Sequence, residues 1–331
     1  MEVRETLLLQ RRDIAQLLSI EECMQAVEMA FGLYAEAKAL PPKVLAIHAD
    51  NGGFHIKAGV LGIERAYFVA KVNANFPFNP RQNNLPTIQG VIVVCDATNG
   101  RLLALMDSIE ITIIRTGAAT GVAVKYLAPR NASVATICGC GNQGQISLKA
   151  ILKVRNITKL YAFDIDNSQV EKLMQVFTGQ LEIVPIQLNN LPAALKESQI
   201  VVTCTPSRQP FIQAKAIMPG TFIAAVGADS EEKQELFSEL VASNKIVVDT
   251  VEQCATIGEL RHAIKEGLIT VESVYAELGH IIAGKKMGRE SQDEIIIFDS
   301  TGTALQDVAA ASIVYEKAKK ANMGTYLDFS L

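Results

Sequence analysis

The sequence predicts an α/β protein of two parts, an α+β sheet-rich segment and a doubly wound parallel sheet. Three observations carry that prediction. Strand-like runs follow one another without intervening helices up to about residue 107. From Ser133 onward, short apolar strands alternate with helical segments. A last amphipathic stretch, 303–321, then leaves the alternation. The expected division is 1–115 together with 302–331 for the first part and 116–301 for the second.

Ser19 and Glu22 form an S-x-x-E capping box, and Ile20, Cys23, Met24, Val27, Phe31 and Tyr34 then fall on one helical face. Strands are expected at 43–49, 54–61, 67–76, 87–96 and 101–107, with Asn99-Gly100 as the hairpin turn between the last two. Without helices between them, these strands predict an antiparallel sheet. Alternation puts Lys71, Asn73 and Asn75 on one face, opposite Ala70, Val72 and Ala74, and puts His55 and Lys57 opposite Phe54 and Ile56. The pattern alone favours a solvated face for Lys57 and Lys71. Asp107 and Glu110 mark the start of a helix running to about Leu127. Arg115 lies inside it among apolar and small residues. A cation there needs an anionic partner, supplied either by an internal salt bridge or by a substrate carboxylate gripped through the guanidinium fork.

The second part opens with "SVATICGCGNQGQ". Gly139, Gly141 and Gly144 have G-x-G-x-x-G spacing, with a strand before them, a helix after them and Asp164 twenty positions on, at the end of the next strand. The first glycine suits a tight turn, the second an approach to pyrophosphate, and the third the packing of helix on strand. Asn142 and Gln143 lie at the helix start, whose amides favour phosphate. A carboxylate at Asp164 suits ribose hydroxyls and repels a 2′-phosphate, so NAD is the expected cofactor and the domain is a Rossmann dinucleotide-binding one. Further strands are expected at 181–188, 199–207, 222–227, 245–249 and 294–300. Ligands gather beyond the carboxyl ends of such strands, which brings in Thr205, Ser300 and Asp229. Asp229 fits either a catalytic acid/base or the N-cap of a helix over "SEEKQELF".

A net charge of −4 without a basic stripe argues against a nucleic-acid partner. No apolar run is long enough for a membrane span. The six cysteines are scattered, and no second Cys/His pair completes a metal site with Cys138 and Cys140. A cytoplasmic protein with reduced thiols is the expectation.

The blocks "KVNANFPFNP", "GCGNQGQ", "VGADSEEKQEL" and "FDSTGTALQDVAAA" occur in the order found in the ornithine cyclodeaminase/mu-crystallin family, which the sequence resembles over nearly its whole length. The resemblance implies a homodimer in which the sheet-rich domain serves substrate binding and dimerisation. It implies Lys71 as the active-site lysine, Arg115 as carboxylate binder, Asp229 as the acid handling proton transfer or a second amine, and Thr87 and Asp164 as cofactor contacts. Many members carry arginine where this sequence has Lys43 and an apolar residue where it has Lys57, so the carboxylate clamp is read as Lys57, Lys71 and Arg115, with Lys43 secondary or displaced. The implied activity is NAD-dependent chemistry on a small amino acid or imine, foremost ornithine cyclodeamination to proline and ammonia. The alternatives are an alanine-type dehydrogenase, a cyclic imine reductase, or a non-catalytic nucleotide-binding protein.

Overall fold

A computed structural model describes residues 5–62 and 65–328. The chain divides into two compact units, Met1–Arg115 with Thr303–Leu331, and Thr116–Gly302. The division falls inside the long helix Ser108–Leu127.

The first unit is built on a seven-stranded sheet of β1 (Thr6–Leu9), β2 (Lys43–Ala49), β3 (Gly52–Gly62), β4 (Ala66–Asn75), β5 (Ile88–Asp96), β6 (Leu102–Asp107) and β15 (Thr325–Leu327). The order is β15-β1-β6-β5-β4-β3-β2. Strands β2 to β6 form the expected antiparallel meander. The sheet as a whole is mixed, which corrects the sequence reading, because β1 runs parallel to β6. Four residues with no alternation gave no strand signal there. The capping box forms as expected: Ser19 Oγ accepts from Glu22 N at 3.3 Å, and Ser19 N donates to Glu22 Oε2 at 3.1 Å. The helix it starts, Ile20–Ala35, buries Ile20, Cys23, Met24, Val27 and Phe31, whereas Tyr34 is half-buried. The terminal helix, Ala304–Ala321, packs on that helix and across β3 and β4. Its run of alanines lets the helix backbone come close to the sheet, and most of its first three turns are buried. At the far edge β2 is exposed along its whole length, with Val44, Leu45 and Ile47 in the open.

The second unit holds eight parallel strands: β7 (Val134–Cys138), β8 (Lys159–Phe163), β9 (Glu182–Ile186), β10 (Ile200–Thr203), β11 (Phe222–Ala225), β12 (Lys245–Val248), β13 (Ala276–Glu277) and β14 (Ile296–Asp299). Their order, β13-β12-β14-β11-β10-β7-β8-β9, is that of a doubly wound sheet. The strand order reverses between β7 and β10, so the carboxyl end of β7 is the place where such sheets bind ligands. Strands buried on both faces read as unbroken apolar runs, which is why they were visible in the sequence. Only the two-residue β13 went unseen.

Candidate active-site residues

In the first unit Lys57 and Lys71 stand directly opposite one another on β3 and β4. Like charges so placed repel, and both residues are buried, 8% and 3% exposed. The solvated face expected from the pattern is therefore corrected: the terminal helix covers it and brings in Asp307, which is fully buried. Lys71 Nζ lies 2.8 Å from each carboxylate oxygen of Asp307, and Arg115 Nε lies 3.1 Å from Oδ1. Arg115 Nη1 donates to Gln306 Oε1 at 2.7 Å. One turn of one helix thus anchors the guanidinium at two points.

Burial, with the charges of Arg115 and Lys57, pushes the Lys71 amine down to about 7 against the opposing pull of Asp307. Burial alone would raise Asp307, but the fields of Lys71, Arg115 and Lys57 outweigh it and hold the carboxyl below its usual range. The cluster therefore pairs an oriented, permanently charged guanidinium with an amine that can hold or release a proton near neutrality. With three basic side chains around one acid, it suits an anionic ligand group. Lys43 lies apart, exposed at the start of β2 and opposite Ala58. Thr87 precedes β5, and its carbonyl accepts from Phe76 N at 2.8 Å.

In the second unit the glycine loop sits at the carboxyl end of β7. Gly139 has φ +99°, in the left-handed region that favours glycine. A Cβ on Gly144 would lie 2.0 Å from the Gly139 carbonyl oxygen, so the helix Asn142–Ile151 can start this close to the strand only with glycine there. A Cβ on Gly141 would meet nothing within 4 Å, leaving that side of the loop open. Asn142 and Gln143 form the first turn, and Gln143 Oε1 is buried with no hydrogen-bond partner among the described residues. Asp164 follows β8 directly; its Oδ2 accepts from Cys140 N at 2.8 Å and its Oδ1 from Asp166 N at 2.9 Å. The acid is thereby tied to the glycine loop itself. The open side of the loop, the free turn of helix and the tethered acid fit a dinucleotide.

Two loops beyond the carboxyl ends of β10 and β11 are joined by Glu235, a residue the sequence reading missed. Its Oε1 accepts from Thr205 N and Oγ1, both at 2.7 Å, and its Oε2 accepts from Gly227 N at 3.1 Å. Burial pushes this carboxyl up, opposed by those same bonds. Ser300 Oγ donates to the buried Asp249 at 3.2 Å. Asp229 is exposed, and Lys233 Nζ donates to it at 2.6 Å. No helix follows Asp229, which corrects its reading as an N-cap: residues 231–232 turn and 233–237 run without helix. The cause is Glu259, whose carboxylate accepts from the backbone N–H groups of Glu235 and Leu236 and holds that stretch open.

Asp307 and Gln306 were also missed as site residues. Their signal was an amide and an acid side by side in "TALQDVAAA", where small apolar residues otherwise predict burial. Glu235 gave none, since it ends a charged run that reads as a solvated helix. Among the described residues no group of three or more His, Cys, Asp or Glu side chains could hold a metal ion, and no helix is long and apolar enough to cross a membrane.

A doubly wound sheet with such a loop and tethered acid defines a Rossmann-type dinucleotide-binding protein. The chain belongs to the ornithine cyclodeaminase/mu-crystallin family, whose model matches residues 4–322. It is 42% identical over 328 residues to the alanine dehydrogenase of Archaeoglobus fulgidus, covering 98% of this chain and 99% of that one. An archaeal alanine dehydrogenase dimer solved with bound NAD superposes with a TM-score of 0.93 at 39% identity, covering 98% of this chain and 99% of that one. The Δ1-pyrroline-2-carboxylate reductase of Thermococcus litoralis, in complex with NADH and L-proline, gives a TM-score of 0.91 at 34% identity, over 97% of this chain and all of that one (100%).

Proposed function

We propose that this chain is an NAD-dependent oxidoreductase acting at the Cα–N bond of a small L-amino acid or the matching imine, of the alanine dehydrogenase or cyclic imine reductase type. The observation that carries this reading is the buried cluster of Lys57, Lys71, Arg115 and Asp307. Arg115, anchored at two points, and Lys57 bind the substrate carboxylate and fix its orientation. Lys71, poised near neutrality, takes or returns a proton at its Nζ. Asp229 is the second proton-handling group. The loop Gly139 to Gly144 with Asn142 and Gln143 holds the pyrophosphate, and Asp164 the adenosine ribose, with Thr205 and Ser300 nearer the nicotinamide. NAD supplies hydride acceptance and return when bound. The active form is a homodimer, supported by the archaeal dimer and by the apolar, fully exposed edge strand β2.

Ornithine cyclisation ranks below this reading. A diamine brings a second ammonium that needs an acid, whereas the buried acid of the cluster, Asp307, is already shared between two cations. The test follows NADH, ammonia and organic product together, with L-alanine plus NAD, Δ1-pyrroline-2-carboxylate plus NADH, and L-ornithine plus NAD. NADH formed with pyruvate one for one, or consumed one for one with the imine, supports the proposal. Proline and ammonia without net NADH would replace it with a cyclodeaminase. Bound NAD with no turnover anywhere would favour a binding protein.

A further inference from the structure

Gln306 is 1% exposed, and its Oε1 accepts from Arg115 Nη1 at 2.7 Å. A guanidinium has donors only, so the amide oxygen must face it and the amide orientation is fixed by chemistry. The other end, Nε2, is then a pure donor, and it has no hydrogen-bond partner among the described residues although it is buried. A buried donor left unmade is destabilising. Apolar isosteres would avoid that penalty, so the amide marks a place where a partner arrives.

A second observation points the same way. Thr303, three residues earlier and fully buried, is the N-cap of the terminal helix, yet its side chain makes no capping bond and its Oγ1 is also without a partner among the described residues. Residues three apart share a helix face. The amino-terminal turn of an eighteen-residue helix thus presents two unmatched buried polar groups, one of them on the amide that holds Arg115. The helix end adds partial positive charge, so the partner that suits it is an anion with acceptor oxygens.

We propose that Gln306 is a substrate-binding residue whose Nε2 donates to the substrate's carboxylate, with Arg115 and the first turn of the terminal helix completing the grip. The inference rests on the reading of the cluster as a carboxylate site. It also assigns a reason for the neutral amide. A carboxylate at 306 would still accept from Arg115, but it would face the substrate with a negative charge and no donor.

Gln306→Glu tests this, with Gln306→Met as the second variant. Both are measured with wild type for KM and kcat on the amino acid or imine that the wild type turns over, for NADH affinity by fluorescence titration, and for Tm. In Gln306→Glu the bond to Arg115 survives, so a merely structural role predicts unchanged KM and retained Tm. The proposal expects KM to rise about a hundredfold in Gln306→Glu and about tenfold in Gln306→Met. It expects NADH affinity to be unchanged in both and Tm to be retained in Gln306→Glu. A KM within twofold of wild type in Gln306→Glu overturns the assignment and leaves the carboxylate site standing. A wild type that neither turns over nor binds L-alanine, pyruvate or Δ1-pyrroline-2-carboxylate overturns both.

Discussion

Replacing Asp307 by Asn removes one charge and almost no volume, so its effect isolates electrostatics. In the native protein this carboxylate is fully buried and touches two cations that are themselves 3% and 7% exposed at the side chain. Removing one partner of a buried pair leaves an uncompensated charge, at about 3–5 kcal/mol. For a unit of this size that is a Tm lower by roughly 10 °C. The pH dependence changes too. Lys71, at about 7 in the fold against 10.5 as its ordinary value, binds a proton more weakly folded than unfolded, so stability rises with pH between those limits. Asp307 is the residue that pulls Lys71 upward. Without it, the lower bound of that window moves to more acid pH, and so does the limb of kcat/KM that depends on neutral Lys71. Calorimetry across pH 5 to 10 with a matched rate profile measures both. Lys71→Met combined with Asp307→Asn should recover part of the lost Tm, because the unpaired amine is gone. A single Asp307→Asn variant with Tm within about 2 °C of wild type and an unmoved limb would refute the argument.

Asp164→Ser should weaken NADH binding about tenfold while narrowing the preference over NADPH, read by fluorescence titration; equal losses for both nucleotides would sink the ribose role. Asp229→Asn should lower kcat by about a hundredfold with NADH affinity and Tm intact, since a surface ion pair to Lys233 stabilises little; a kcat within twofold would remove Asp229 from the proton-handling groups. Leu45→Asp, on the exposed edge strand, should shift sedimentation from dimer to monomer, and a dimer of unchanged affinity would remove β2 from the interface.

What the sequence made legible was local. The meander from Lys43 to Asp107 followed from two-residue alternation and an Asn-Gly turn, and the parallel sheet from short apolar runs between helices. The glycine loop was legible because two of its glycines answer local backbone constraints, the positive φ of Gly139 and the close contact of Gly144 with the Gly139 carbonyl, while Gly141 leaves its side of the loop open. What stayed hidden was long-range. Lys57 and Lys71 read as solvated because alternation reports that two residues share a face and says nothing of what covers it. The cover is a helix more than two hundred residues further on. The helix assigned to "SEEKQELF" failed for the same reason: its propensity is local, and the Glu259 carboxylate that binds the backbone of Glu235 and Leu236 arrives from outside the window.

The two units solve the problem of buried charge differently, and the difference explains which residues were found. In the first, basic side chains surround one acid, and the charge that stands out in sequence is Arg115, a cation among apolar and small residues inside a helix, which requires an anionic partner. In the second, Glu235, Glu259 and Asp299 are buried acids that accept from backbone N–H groups, Glu235 and Glu259 from loops and Asp299 from Leu260 in the first turn of a helix. Burial pushes Asp299 up to about 7 and Glu259 well above its ordinary value. Backbone donors carry no sequence signature, so acids of this kind look like ordinary surface residues until the loops are folded around them. Their work is positional: Glu235 ties the loops after β10 and β11 to each other, and Glu259 holds Glu235 in place. The acid that reaches solvent at that edge, Asp229, is two residues from the tied Gly227, so its placement depends on the buried carboxylate of Glu235.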